Sequence, residues 1–267
     1  MAAYTGKVVV VTGASSGIGK ALCLALAEQR SRLVLAARDA SSLEAVASAC
    51  REKGADTLVV PADVTSEEAC RLLVEKAVER FKVIDVLVNN AGVGMLARFD
   101  EVKDLAPYEQ LMRVNYLGSV YPTYHALPHL KASHGQIVVV ASLAGLTGVP
   151  TRTAYAASKH ALFGFFDSLR IELLGTGVSV TMVAPDFVLS EIHRRAFGPD
   201  GLPLGQSPLR ESKIMTAEEC ARLIVHAMER RKRLLVTSAR GRFGRYVRLV
   251  FPGFIDRIAR RAVARGV

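Results

Sequence analysis

The sequence predicts a single α/β domain, a doubly wound parallel sheet with helices on both faces. Three observations predict it. Apolar, β-branched runs alternate with longer stretches of helical period, the order expected of βαβ units. The first run, Lys7–Thr12 (KVVVVT), is apolar on both faces, as an interior parallel strand requires. The 267 residues are 50% apolar and 22% charged, enough for one large core and too hydrophobic for disorder.

The elements follow in order. After the first strand comes a glycine-rich turn, then helical period over Lys20–Gln29. Arg32–Ala37 reads as the second strand, and Ser41–Lys53 as a helix with Ser41 or Ser42 as its cap. Thr57–Pro61 is the third strand. Ser66–Arg80 is a helix whose first turn carries Glu67 and Glu68, the sign a helix N-terminus favours. Ile84–Asn89 is the fourth strand. Tyr108–Leu130 is mostly helical, Gln136–Ala141 a strand, Arg152–Leu174 a long helix and Ser179–Val183 the sixth strand. Gly, Pro and Ser enrich Phe197–Ser212 (GPDGLPLGQSP), which reads as a loop or lid, the later part of an expected substrate loop near 187–212. No repeat or low-complexity linker divides the chain, so residues 1–239 form one domain and 240–267 a tail.

The formal net charge of +10 is concentrated there: residues 230–267 hold 12 basic side chains and one acid, Asp256. The rest of the chain is close to neutral. Arg242, Arg245 and Arg248 alternate with Phe243, Tyr246, Val247, Val250 and Phe251. Beyond Pro252-Gly253, Arg257, Arg260, Arg261 and Arg265 alternate with Phe254, Ile255, Ile258, Ala259 and Ala262. Two short basic amphipathic helices result. They suit either a membrane surface or packing on the domain or a subunit partner. Nucleic acid is disfavoured, because no base-reading motif accompanies the charge.

Other classes are excluded. No run of 18 apolar residues offers a membrane span, and Met1–Lys7 shows no secretory pattern. Cys23, Cys50, Cys70 and Cys220 are spaced for neither a zinc site nor a disulfide framework, which points to a reduced, cytoplasmic setting. His125 and His129 lie four apart without a third ligand, so no metal is expected.

Two motifs carry chemistry. Thr12-Gly13-Ala14-Ser15-Ser16-Gly17-Ile18-Gly19 stands between the first strand and first helix. Glycines there let the backbone approach a pyrophosphate, and the helix N-terminus offers unpaired N–H groups. The second strand ends at Ala37, followed by Arg38 and not by an acid, which favours the 2′-phosphate of NADP(H) over NAD(H). The competing reading makes Arg38 a solvated charge and gives the ribose to Asp39. The second motif is Tyr155-Ala156-Ala157-Ser158-Lys159. Residues four apart share a helix face, and a cation near a phenol favours the phenolate, so the pair suits proton exchange with an alcohol oxygen. Ser142, thirteen residues upstream, ends a strand where active-site residues of open parallel sheets sit.

With Asp63, Asn89-Asn90-Ala91-Gly92, Asn115 and Pro185, these motifs occur in the order of the short-chain dehydrogenase/reductase family, which the chain resembles from Lys7 to about Ser190. The resemblance implies a Rossmann-type fold and a nicotinamide cofactor. Gly13, Ser15, Ser16, Gly17, Ile18, Gly19, Arg38, Asp63, Val64, Asn89, Ala91, Gly92, Tyr155, Lys159, Pro185, Val188 and Ser190 would hold that cofactor. It implies Tyr155 as general acid/base, Lys159 binding the ribose and lowering the tyrosine pKa, Ser142 orienting the substrate and Asn115 supporting a proton relay. It also implies a homodimer or homotetramer. One position departs: Asp186 stands where the family has glycine. Aspartate either merely tolerates the turn or alters the substrate mouth.

Met95, Leu143 and Phe187 are the expected substrate contacts. Their apolar character points to a lipophilic ketone, aldehyde or secondary alcohol of steroid, retinoid or long-chain type. Reduction of 3-oxoacyl thioesters is the alternative within enzymes. A non-catalytic NADPH-binding sensor or membrane scaffold is the alternative outside them.

Overall fold

The computed structural model describes residues 2–206 and 214–264. Among these, seven strands form one sheet: β1 (Val8–Thr12), β2 (Arg32–Ala37), β3 (Asp56–Pro61), β4 (Val86–Asn89), β5 (Gln136–Val140), β6 (Ser179–Ala184) and β7 (Leu234–Val236). Their order is β3-β2-β1-β4-β5-β6-β7, and every pairing is parallel. The chain winds outward from β1 to β3, then returns to β4 and winds the other way. That reversal opens a crevice at the carboxyl ends of β1 and β4.

Helices cover both faces because every inner strand is apolar on both. α1 (Gly17–Ala27), α2 (Ala40–Glu52) and α7 (Ala217–Glu229) pack one side, where Leu22, Leu26, Leu43 and Ile224 meet Val9 and Val11. On the other side α3 (Glu67–Phe81), α5 (Gly118–Ser133) and α6 (Thr153–Glu172) bring Leu73, Leu130 and Phe166 onto Val8 and Val10. Alternate residues of one strand thus serve two cores. Each such side chain contributes roughly 1.5–3 kcal/mol by leaving water.

Several details differ from the sequence expectation. The cap of α2 is Asp39 and not Ser41 or Ser42: its extended backbone lies just outside the helix, and its carboxylate accepts from both serine N–H groups. The helix expected over Tyr108–Leu130 is three pieces: α4 (Ala106–Leu111), a π-helical turn over Met112–Leu117, and α5. The reading passes over α7 and β7. β7 is three residues long, too short for a period to show. α7 was signalled by a capping box, Thr216 to Glu219. The tail forms two helices as expected, α8 (Ala239–Val250) and α9 (Pro252–Ala264). Arg265, and positions 207–212 of the expected substrate loop, lie outside the described residues.

Candidate active site

The glycine turn is a backbone cradle. Gly13 and Gly17 take positive φ, +66° and +52°. A Cβ on Gly13 would stand 2.8 Å from the Ala91 Cα, and one on Gly19 would run into the Gly13 carbonyl oxygen. Thr12 and Asn90 lock β1 to β4 here. The Thr12 hydroxyl accepts from the N–H of Asn90 (3.0 Å) and of Ala91 (3.2 Å), and the Asn90 amide donates to the carbonyls of Thr12 and Gly13. The Ser16 side chain makes no capping bond at α1, and its first turn holds no acid. The turn therefore fits a pyrophosphate, which needs that close approach and those N–H donors.

Further along the cleft, Arg38 is exposed at the end of β2 and lines the opening. Asp39 beside it is consumed by capping: two N–H groups and the hydroxyls of Ser41 and Ser42 hold its carboxyl down at about 2. Asp63 accepts from the N–H and hydroxyl of Thr65 through one oxygen, leaving the other for a ligand. Val64 packs under Gly118. Ala91 and Gly92 line the cleft floor. Ser190 reaches over the turn, its Cβ 3.2 Å from where a Cβ on Gly17 would lie.

The residues expected to carry chemistry meet where β5 approaches α6. Ser142 follows β5 and caps a 3-10 turn over Leu143–Gly145 by accepting from the Ala144 N–H. Lys159, 3% exposed, donates to the Val140 carbonyl at 3.0 Å, and burial lowers its ammonium to about 8. Burial raises the Tyr155 phenol, and the Ser142 hydroxyl and Arg152 guanidinium pull it back. Lys159 stands 5.7 Å from the Tyr155 ring centroid. Asn115 is fully buried in the π-helical turn, accepting from the Val93 N–H and donating to the Val93 carbonyl and Ser158 hydroxyl. Such turns often mark functional sites.

The model of the short chain dehydrogenase family matches residues 7–199. The chain belongs to the short-chain dehydrogenase family. It is 37% identical over 270 residues to Dehydrogenase/reductase SDR family protein 7-like of Dictyostelium discoideum, spanning 99% of this chain and 84% of that protein. It is 38% identical over 261 residues to 11-beta-hydroxysteroid dehydrogenase A of Sesamum indicum, spanning 96% and 75%. Among solved structures, a short chain dehydrogenase/reductase from Burkholderia phymatum in complex with NAD superposes with a TM-score of 0.84 at 28% identity, over 95% of this chain and 96% of that one. An alcohol dehydrogenase from Thermococcus sibiricus complexed with 5-hydroxy-NADP gives 0.73 at 27%, over 86% and 94%. The protein is thus an oxidoreductase of a family that works with a nicotinamide cofactor.

In this dehydrogenase one cavity of about 860 Å³ joins the glycine turn, Ser142, Tyr155, Lys159, Pro185, Phe187, Val188 and Ser190. Four expected residues do not line it. Gly19 and Asn115 support it from behind. Asn89 turns its amide into the core, donating to Thr123 at 2.8 Å. Met95 lines a smaller recess beyond Tyr155. Asp186 has its own partner: Arg240 grips its carboxylate through two nitrogens, at 2.7 and 2.9 Å. Burial raises that carboxyl, but Arg240, Ser238 and the Phe187 N–H overcome it and leave it below the ordinary range. The Asp186 backbone has no positive φ, so this is not a residue chosen for its turn.

The pair fastens α8 to the mouth of the cleft. Gly241 packs tightly on Leu143 and Val236, and Arg248 donates to the Leu146 carbonyl at 2.5 Å. Phe243, Val247, Phe254 and Ile258 of the tail line the cavity. Packing of the tail on the domain is one of the two readings the sequence allows, but nothing in it placed these residues at the cleft. The unusual Asp186 was the available signal, since a buried aspartate calls for a cation. Sequence reasoning also missed Arg152, one helical turn before Tyr155.

Proposed function

We propose that this enzyme transfers a hydride between NADP(H) and a lipophilic ketone, aldehyde or secondary alcohol, with Tyr155 as the general acid/base. The observation that carries the reading is the Tyr155 phenol, set beside Ser142 in the cavity that also holds the glycine turn. When bound, the nicotinamide supplies or accepts the hydride. Ser142 holds the substrate oxygen, and Tyr155 gives that oxygen a proton in reduction or takes one in oxidation. Lys159 binds the ribose and adds a positive charge that favours the phenolate in the assembled site. Asn115, tied to Val93 and Ser158, keeps the π-helical turn in shape behind them.

NADP(H) is favoured because Arg38 is exposed at the end of β2 while Asp39, its acidic rival for the ribose, is occupied by four donors. A steroid-like substrate is favoured by the apolar wall and by relatives named as 11-beta-hydroxysteroid dehydrogenases. The tail helices carry exposed Tyr246, Leu249, Val250 and Phe251 among their arginines, which supports a membrane-surface role for α8 and α9. No helix among the described residues is long and apolar enough to cross a membrane.

Tyr155→Phe tests the assignment. Turnover of steroid, retinoid and long-chain carbonyls with NADPH should fall at least about 100-fold, while NADPH still quenches or enhances fluorescence at wild-type affinity. Wild-type rates in this variant would remove Tyr155 from the chemistry.

A further inference from the structure

We propose that Arg152 is the anchor for a carboxylate on the substrate, so that the lipophilic carbonyl or alcohol compounds this enzyme takes are acids. The inference deepens the reading above and rests on its placement of substrate against Tyr155. Arg152 is the residue just before α6, three ahead of Tyr155, and the two side chains line the same cavities. It lines both the main cavity and the smaller recess beyond Tyr155. It is thus at the substrate end of the cleft, away from the glycine turn.

Among the described residues no carboxylate pairs with this guanidinium. The four acids lining the cavity are engaged elsewhere. Asp39 caps α2, Asp63 accepts from Thr65, Asp186 is held by Arg240, and Glu191 faces Arg194 at 3.8 Å. Phe187 makes the contrast plain. Two guanidinium groups stack on its ring, Arg152 at 5.4 Å and Arg240 at 5.7 Å. Arg240 has a two-toothed carboxylate partner, and Arg152 has none among the described residues. Arginine does not shed its proton in a protein, so its desolvated charge calls for an anion. A carboxylate matches the planar fork of a guanidinium. The surrounding wall of Leu143, Leu146, Val149 and Ile192 supplies the apolar body's contacts. A neutral ketone would fill that wall and leave Arg152 without a counter-ion.

Isothermal titration of decanoate and of decanamide into the full-length protein, saturated with its nicotinamide cofactor, tests this. The two probes share one chain and differ in charge. Decanoate should bind at least about tenfold more tightly to the wild type. In Arg152→Met the preference should vanish with decanamide affinity unchanged, and Arg152→Lys should retain part of it. Equal affinities in the wild type overturn the proposal, as does a preference that survives in Arg152→Met. Unchanged cofactor affinity in the variants shows that the fold is intact. Tyr155→Phe should keep the preference for decanoate, so loss of the anion site and loss of the acid/base assignment are read separately.

Discussion

The nucleotide end of the cleft is built from backbone, and the substrate end from side chains. At the first, one continuous turn between β1 and α1 supplies the surface: Gly13 and Gly17 at positive φ, and a helix start whose N–H groups no side chain caps. At the second, four segments distant in sequence converge. Leu143 comes from the turn after β5, Arg152 and Tyr155 from the cap and first turn of α6, Asp186 and Phe187 from the loop after β6, and Arg240 from α8. A surface made of backbone serves any ligand with a pyrophosphate. A surface made of side chains is specific to one substrate and is free to differ between relatives.

If that contrast is correct, one added methyl-sized group should ruin the first end. Gly13→Ala combines a positive φ with a collision of its Cβ against Ala91 and Asn90. Cofactor affinity should fall by more than about 100-fold, measured by fluorescence titration of NADPH. Near-normal binding would mean that the turn is not the phosphate cradle.

The contrast also explains what was legible. The fold could be read because each strand is a local run of β-branched residues and each parallel pairing follows from the alternation with helices. The glycine turn, Tyr155 and Lys159 could be read because their spacing is local. Asn89 could not be placed: alternation along β4 decides which face it takes, and it faces Thr123. Arg240 could not be joined to Asp186, 54 residues earlier, without the fold. For the same reason the sequence left packing of the tail on the domain as one reading of two and could not aim α8 and α9 at the cleft.

The substrate end should fail through a distant pair. Asp186→Gly restores the family's residue and strands Arg240. The KM for the carbonyl substrate should rise about tenfold while NADPH affinity stays unchanged. Limited proteolysis should then cut within α8, because the grip on its first turn is lost. An unchanged KM would show that the tail wall stands without this pair.

A single side chain at the nucleotide end should matter less. Arg38 is exposed, so its bond to a 2′-phosphate is screened by water and salt. Arg38→Ala should weaken NADPH about three- to fivefold and leave NADH unaffected. A parallel loss of NADH affinity would indicate that the residue shapes the turn and does not read the phosphate.

The smallest effect concerns charge at the substrate end. Burial, then the neighbouring Arg152, lower His193 to about 4, against a partial restoring bond to the Val188 carbonyl at 3.2 Å. The unfolded chain titrates this histidine near its ordinary value of about 6.5. Between these values the unfolded state binds more protons, so stability rises with pH from about 4 to about 6.5 and is lost as pH falls through that window. His193→Gln keeps a donor for Val188 and removes the titration. From about pH 7.5 down to about pH 4.5, the wild-type Tm should fall about 2–5 °C further than that of the variant. Parallel curves would mean that His193 meets water freely, and that the substrate end is less closed than the packing of Phe187, Arg152 and α8 implies.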